Sequence, residues 1–329
     1  MTRTAAWGKG AATMPVGTTE RQPKQPAPTP RVEQDRPFIW VNGKLQPKSQ
    51  AMVSVYDHGL LYGDGVFEGI RVYRGRIFKC KQHMERLWKS AEGIRMTIPI
   101  SREEMVDIQR KCIEANGLTE GYIRLLVTRG FGTLGLDPRK CPVPGIICIA
   151  DQIRLYAPEL YEKGMKVVLA KRPRVPIDCL DPRVKSLNYL NNILAKCEAI
   201  DAGCDEAIML TTDGYVAECT GDNVFWVKGG KVFTPPSDVG VLEGITREFV
   251  MKVLCPELGL TCTEKKARIS EVLKADEVFL TGSAAEIISV TQIDETPIGA
   301  KHGGGEGPIT KKLRQRFRQV VTSDNVPEE

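Results

Sequence analysis

Histidine is scarce. His58, His83 and His302 are the chain's three histidines among 329 residues, and they stand far apart in sequence. That spacing gives no metal-ligand pattern and no support for a Ser-His-Asp hydrolase. CxxC pairs are absent, and the ten cysteines lie scattered through apolar runs such as Ile146-Ile147-Cys148-Ile149, where a thiol behaves as a small hydrophobe. Neither zinc, another metal nor a redox pair is indicated. A chain of this size with no secretory signal is expected to be cytoplasmic, with reduced thiols. No apolar run approaches the roughly 20 residues that span a bilayer, so a soluble protein without a membrane partner is expected.

Charge of one sign is not in excess either. The formal net charge is +5, and residues 1 to 36 hold six basic against three acidic residues, which leaves +2 for the body. A nucleic-acid binder shows a concentrated basic face. The one dense basic cluster, Lys311 to Arg318, carries an apolar stripe at Ile309, Leu313, Phe317 and Val320, so it reads as the solvated face of a final helix. The first 36 residues are rich in Pro, Thr, Gln and Ala and lack serine. They are expected to form a disordered extension, with too many acids for a transit peptide.

From Pro37 onward strand-like and helix-like stretches alternate. Phe38 to Val41 before Asn42-Gly43, and Arg71 to Tyr73 facing Arg76 to Phe78 across Arg74-Gly75, predict two hairpins. Met84, Leu87, Trp88 and Ala91, then Met105, Ile108, Cys112 and Ile113, recur at helical spacing. Ser101 with Glu104 predicts a capping box for the second of these helices, and Asn116-Gly117 its end. Strands are expected over residues 122–128 and 145–150, a connector near 151–164, and a second half beginning at Met165. Two more hairpin strands, Asn223 to Val227 and Lys231 to Thr234, flank Gly229-Gly230, and the last strands fall at 277–280 and 287–293.

Chemistry concentrates in the second half. Glu218 stands near a strand end, Asn223 opens the hairpin, and Leu242-Glu243-Gly244-Ile245-Thr246-Arg247 follows it. Gly244 permits close backbone approach, and a helix starting at Ile245-Thr246 offers unpaired N–H groups to an anion. Upstream, Lys185 lies in Val184-Lys185-Ser186-Leu187-Asn188-Tyr189-Leu190, ahead of a helix with apolar positions Leu190, Ile193, Leu194 and Cys197. Locally, Lys185 reads as a solvated charge and Glu218 as a strand-end acid, while Tyr189 reads equally as core.

Together these motifs resemble the class IV aminotransferases, the pyridoxal 5′-phosphate (PLP) enzymes of fold type IV, and within them the branched-chain amino acid aminotransferases. The resemblance implies a mixed α+β and α/β, two-domain, D-amino acid aminotransferase-like fold, with a small α+β domain at residues 37–155 and a large PLP-binding domain at 156–329. It implies transamination of Leu, Ile and Val with 2-oxoglutarate, in a homodimer or dimer-based hexamer. D-amino acid aminotransferases and aminodeoxychorismate lyases share the cofactor motifs and form the alternative.

The same resemblance assigns roles. Lys185 is the catalytic amine that holds PLP, Glu218 the partner of the pyridine nitrogen, and Tyr189 the neighbour of the phenolic oxygen. Arg86, Ile245, Thr246 and Ser283 bind the phosphate, although the position of Arg86 off the Met84-Leu87-Trp88-Ala91 stripe locally says solvent. Tyr62 and Phe67 wall an apolar substrate pocket, and Gly69 leaves it room. Tyr122 with Ser283 and Ala284 takes the α-carboxylate, and Arg124 the second carboxylate of glutamate. The loop from Gly132 to Asp137 closes the partner's site, with Leu136 touching the pocket. The sequence departs from some relatives at Ile153, where they carry tryptophan, leaving Tyr156 as the nearby aromatic.

Overall fold

Alternating side chains and glycine turns in the first half build an antiparallel sheet. The computed structural model describes residues 36–153, 156–324 and 326–328. The expected disorder at residues 1–36 thus lies outside the described residues except at Arg36. Strands β1 (Phe38–Val41) and β2 (Lys44–Pro47) form the first hairpin, and a short helix α1 (His58–Tyr62) leads into the long strand β3 (Gly65–Tyr73) and β4 (Arg76–Ile77). Helices α2 (Cys80–Gly93) and α3 (Arg102–Asn116) follow, then β5 (Gly121–Thr128) and β6 (Gly145–Asp151). The strand order is β2-β1-β6-β5-β3-β4. The capping box forms as the sequence predicts: Ser101 Oγ accepts from Glu104 N, Glu104 accepts from Ser101 N, and Gly117 ends α3 in the left-handed region.

Period-two alternation decides what each face of this sheet does. Val66, Ile70 and Val72 of β3 and Ile123, Leu125 and Val127 of β5 enter one core with Met84, Leu87, Met105 and Cys112 from α2 and α3. The intervening residues, Phe67 and Gly69 on β3 and Tyr122, Arg124 and Leu126 on β5, line a cavity on the other face. Glu68 therefore points among the helices, into the core.

The connector contains a helix the sequence reading left out, α4 (Pro158–Lys163), before β7 (Met165–Leu169) and α5 (Leu190–Asp201). Then come β8 (Glu206–Leu210), β9 (Val216–Cys219), β10 (Asn223–Lys228) and β11 (Lys231–Thr234). Gly229 and Gly230 turn the β10–β11 hairpin at φ of 56° and 76°, the conformation a two-residue type I′ turn requires. Helix α6 (Ile245–Phe249) runs through a π turn, Val250–Leu254, into α7 (Cys255–Glu257). The chain ends with β12 (Cys262–Glu264), α8 (Ile269–Val272), β13 (Glu277–Gly282), β14 (Glu286–Ile293), β15 (Thr296–Pro297) and α9 (Pro308–Val321). These nine strands make a mixed sheet of order β12-β11-β10-β13-β14-β7-β8-β9, with β15 paired to β14. Leu313, Phe317 and Val321 of α9 pack with Phe225 and Phe279 of this sheet, and Tyr73 and Phe78 from the first half join them.

Helix α5 turns its bulky apolar side outward. Its large apolar residues do not enter the core: Leu190 is 65% and Ile193 55% exposed, whereas Ala195 and Ala199 are fully buried. The helix lies on the sheet through its small residues, and the apolar stripe faces outward. Among the described residues, no helix is long and apolar enough to cross a membrane.

Candidate active site

The Lys185 loop is held by three hydrogen bonds to the other half of the chain. Phe67 N donates to Lys185 O at 3.0 Å, Leu187 N donates to Gly65 O at 2.9 Å, and Lys185 N donates to Ser90 Oγ on α2 at 3.1 Å. Gly93 completes the seat, because a Cβ there would come 2.7 Å from Val184 Cγ2. So fixed, Lys185 Nζ lies 3.0 Å from the Tyr189 hydroxyl and 4.5 Å from the centre of the Phe67 ring. The Arg124 guanidinium is 4.5 Å from the same ring.

These groups border a cavity of about 500 Å3. Of the residues singled out in the sequence, Phe67, Gly69, Arg86, Tyr122, Arg124, Tyr156, Lys185, Tyr189, Ile245, Thr246, Ser283 and Ala284 line it, as does Ile153. Gly69 has no substitute here, since a Cβ would fall 1.9 Å from the Tyr122 hydroxyl.

Three predicted residues do not line it. Glu218 is buried behind the wall, where Oε1 accepts from Arg174 Nε at 2.9 Å and Oε2 from Asn223 Nδ2 and Leu242 N at 3.2 and 3.0 Å. Asn223 and Leu242 themselves face the cavity. Tyr62 and Leu136 lie outside the cavity of their own chain. Leu136 is 80% exposed, and the Tyr62 hydroxyl accepts from Gly135 N at 3.0 Å, tying that ring to the same loop.

Arg86 corrects its local reading. It is buried, not solvated, because Glu68 waits beside it: Nε and Nη2 donate to the two Glu68 oxygens at 2.8 and 2.7 Å, and Nη1 donates to Glu243 O at 2.8 Å. His83 Nδ1 lies 2.7 Å from Glu68 Oε2. Burial alone would push the Glu68 pKa up, but the Arg86 charge and hydrogen bonds, with His83, outweigh it and hold the carboxyl well below the usual range. Burial wins at His83, lowering its pKa and keeping the ring neutral at pH 7. Sequence reasoning passed over Glu68, although a carboxylate inside the alternation Val66, Glu68, Ile70, Val72 is itself a sign of a buried ion pair. Arg174, Glu206 and Asp222 were also missed. Their partners come from distant segments, and Thr220-Gly221-Asp222 reads as a plain turn.

A model of the class IV amino-transferases matches residues 65–293. The chain belongs to this family. A putative branched-chain-amino-acid aminotransferase of Methanocaldococcus jannaschii is 48% identical to it, across 86% of this chain and 96% of that protein. The structure of the Escherichia coli branched-chain amino acid aminotransferase superposes with a TM-score of 0.83 at 35% identity, covering 87% of this chain and 94% of that one. The branched-chain amino acid aminotransferase of Thermobaculum terrenum, solved in its PLP form, gives 0.78 at 30% identity, covering 88% of this chain and 95% of that one.

The cavity's own donors fit a phosphorylated pyridine. Arg86 uses three of its five N–H groups on Glu68 and Glu243, leaving two. Gly244 caps α6 without a side chain, which leaves the Ile245 and Thr246 N–H groups on the cavity wall open to an anion, and a Cβ at Gly244 would strike Asn223 Oδ1 at 2.0 Å. Thr281 Oγ1, on the cavity wall, is buried without a partner among the described residues.

Proposed function

We propose that this class IV aminotransferase moves the amino group of Leu, Ile and Val to 2-oxoglutarate. Its cofactor is PLP, which serves as the electron sink for a carbanion at the substrate's α-carbon. One observation carries the substrate assignment: a single cavity has apolar walls at Phe67, Leu126 and Ile153 and, apart from Arg86, a second guanidinium, Arg124, over Phe67. Such a pocket accepts an aliphatic side chain against the walls, or a carboxylate on the guanidinium.

Each side chain has a task in this reading. Lys185 Nζ anchors the cofactor and moves a proton at the α-carbon. Tyr189, 3.0 Å away, steadies that nitrogen. Arg86, the Ile245 and Thr246 amides, and the Ser283 and Thr281 hydroxyls hold the phosphate end. Glu218 keeps a proton on the ring nitrogen, and Arg174 orients Glu218. Tyr122 and the Ser283-Ala284 amides hold the α-carboxylate. We read residues 37–155 and 156–329 as small and large domains with the site between their sheets.

A homodimer is part of the same proposal. The outward stripe of α5, and the exposed Met52, Val55, Leu60, Phe131 and Leu134, offer apolar surface that water leaves unsatisfied. Pairing through it would carry Tyr62 and Leu136 to the partner's cavity. The free thiols of all ten cysteines support a reducing, cytoplasmic setting.

Mixing the purified enzyme with L-leucine, then with D-alanine, tests the substrate. The cofactor's visible band should fade with leucine alone, and fading with D-alanine alone would overturn the assignment. Borohydride reduction and peptide mapping should put the pyridoxyl group on Lys185.

A further inference from the structure

Asp222 is a buried acid on the cavity wall to which the transamination scheme gives no work. The Tyr156 hydroxyl lies 3.2 Å from Asp222 Oδ2 and 3.5 Å from Glu206 Oε2. A hydroxyl has one hydrogen, so it can donate to one of these oxygens and must accept from the other. Two carboxylates are acceptors only. If both were ionised, one contact would set lone pair against lone pair in a buried site, a costly arrangement.

The proton's location follows from the other partners. Glu206 Oε1 accepts from Ala207 N at 2.7 Å, Thr220 Oγ1 at 2.6 Å and Thr220 N at 3.2 Å, and Lys196 Nζ is 3.7 Å from Oε2. That donor set belongs to a carboxylate. The Asp222 carboxyl has, among the described residues, no hydrogen-bond partner but Tyr156. On its other side it fills the space where Gly282 lacks a side chain: a Cβ at Gly282 would meet Asp222 Oδ1 at 2.0 Å. Asp222 thus supports the base of the Gly282-Ser283-Ala284 turn.

We propose that Asp222 stands as a carboxylic acid in a relay to Tyr156 and Glu206, and that its proton makes the Gly282-Ser283-Ala284 turn receptive to the substrate's carboxylate. The ligand in this proposal rests on the function read above. Hydrogen bonds run from Asp222 to Tyr156 and from Tyr156 to Glu206, which leaves the single negative charge on Glu206. Loss of the Asp222 proton would put a second charge against the turn, where it repels an incoming carboxylate.

The surroundings agree with this assignment. Burial and then the Glu206 charge push the Asp222 pKa up to about 7, while the Tyr156 hydrogen bond and the charges of Lys196 and Lys185 only moderate the rise. Cys219 on β9, Tyr122 on β5 and Tyr161 on α4 also feel the Asp222 charge, and burial raises the pKa of each. None supplies a cation.

The test is binding of 4-methylpentanoate, a leucine-shaped carboxylate, to the PLP-loaded enzyme, measured by calorimetry from about pH 6 to about pH 9 for wild type and Asp222→Asn. Asparagine copies the protonated acid, since its amide N–H donates to Tyr156 and it carries no charge. Wild-type affinity should fall across this range by about tenfold more than that of the variant, as expected when one ionisation opposes binding at short range. At the acid end the two should agree within about threefold, since no charge differs there. Coincident profiles, or a variant that binds more than about tenfold worse at the acid end, would overturn the proposal. Carboxyl 13C NMR of aspartate-labelled wild type needs no variant: one aspartate should titrate near neutrality, and its absence would also overturn it. If wild type neither binds the probe nor transaminates leucine, the branched-chain assignment fails instead, and the carboxyl titration still decides the proton.

Discussion

Glu68→Gln should destabilise the cofactor-free protein more than the PLP-loaded one. Glu68 is fully buried and receives Arg86 Nε and Nη2 at 2.8 and 2.7 Å, with His83 Nδ1 at 2.7 Å. Glutamine keeps one acceptor and turns an NH2 group toward an Arg86 N–H, which can only donate. Arg86 is then a buried cation without its counter-ion, a change that typically costs about 3 to 5 kcal/mol. For a protein of this size that lowers Tm by on the order of 4 to 7 °C. With PLP bound, the phosphate takes the two free N–H groups of Arg86 and restores an anion, recovering about 1.5 to 3 kcal/mol, the worth of a charged hydrogen bond. Thermal unfolding of wild type and variant, each without and with saturating PLP, measures both losses. Equal losses in the two states would remove Arg86 from the phosphate site. The acid limb gives a second check. The folded pKa of Glu68 lies below its ordinary value of 4.5, so its stabilisation is complete above that value and is lost as pH falls toward the folded pKa. The variant should lack this part of the acid-induced loss.

Glu218→Gln should retain PLP yet slow α-proton removal in single-turnover reactions with leucine; unchanged rates would leave Glu218 as the structural partner of Arg174. Arg124→Ala should damage the 2-oxoglutarate half-reaction at least about tenfold more than the leucine half-reaction, because leucine offers that guanidinium no charged hydrogen bond to lose. Equal losses would sink the dual-substrate pocket. Leu190→Glu combined with Ile200→Glu should leave the fold intact and dissociate the dimer in sedimentation experiments, since both side chains are more than half exposed in the single chain; an unchanged assembly would clear α5 of any part in it.

What the sequence made legible was local or periodic. The Ser101–Glu104 box, the Gly229-Gly230 hairpin and the alternation of β5 each depend on residues within a few positions of one another, and each formed. Arg86 could not be read this way. A cation one step off a helical stripe is solvated unless a counter-ion is buried opposite it, and here that ion arrives from β3, 18 residues earlier. The setting of Lys185 is less local still, for its loop is clamped by Gly65 and Phe67 across more than a hundred residues. Family motifs named the lysine because they carry the outcome of such packing, which periodicity does not contain.

Helix α5 marks the limit from the other side. Leu190, Ile193, Leu194 and Cys197 recur at the spacing of a buried face, yet all four are exposed in the single chain. Ala195 and Ala199 take the sheet because small side chains let the helix approach closely, and so the bulky residues are left on the outer side. Leu60, Phe131, Leu134 and Leu136 are exposed as well, and Leu136 does not reach the cavity of its own chain. In the homodimer proposed above, a stripe without cover and a loop without a pocket would be two views of one missing surface, with a second copy burying α5 and receiving the loop at its site.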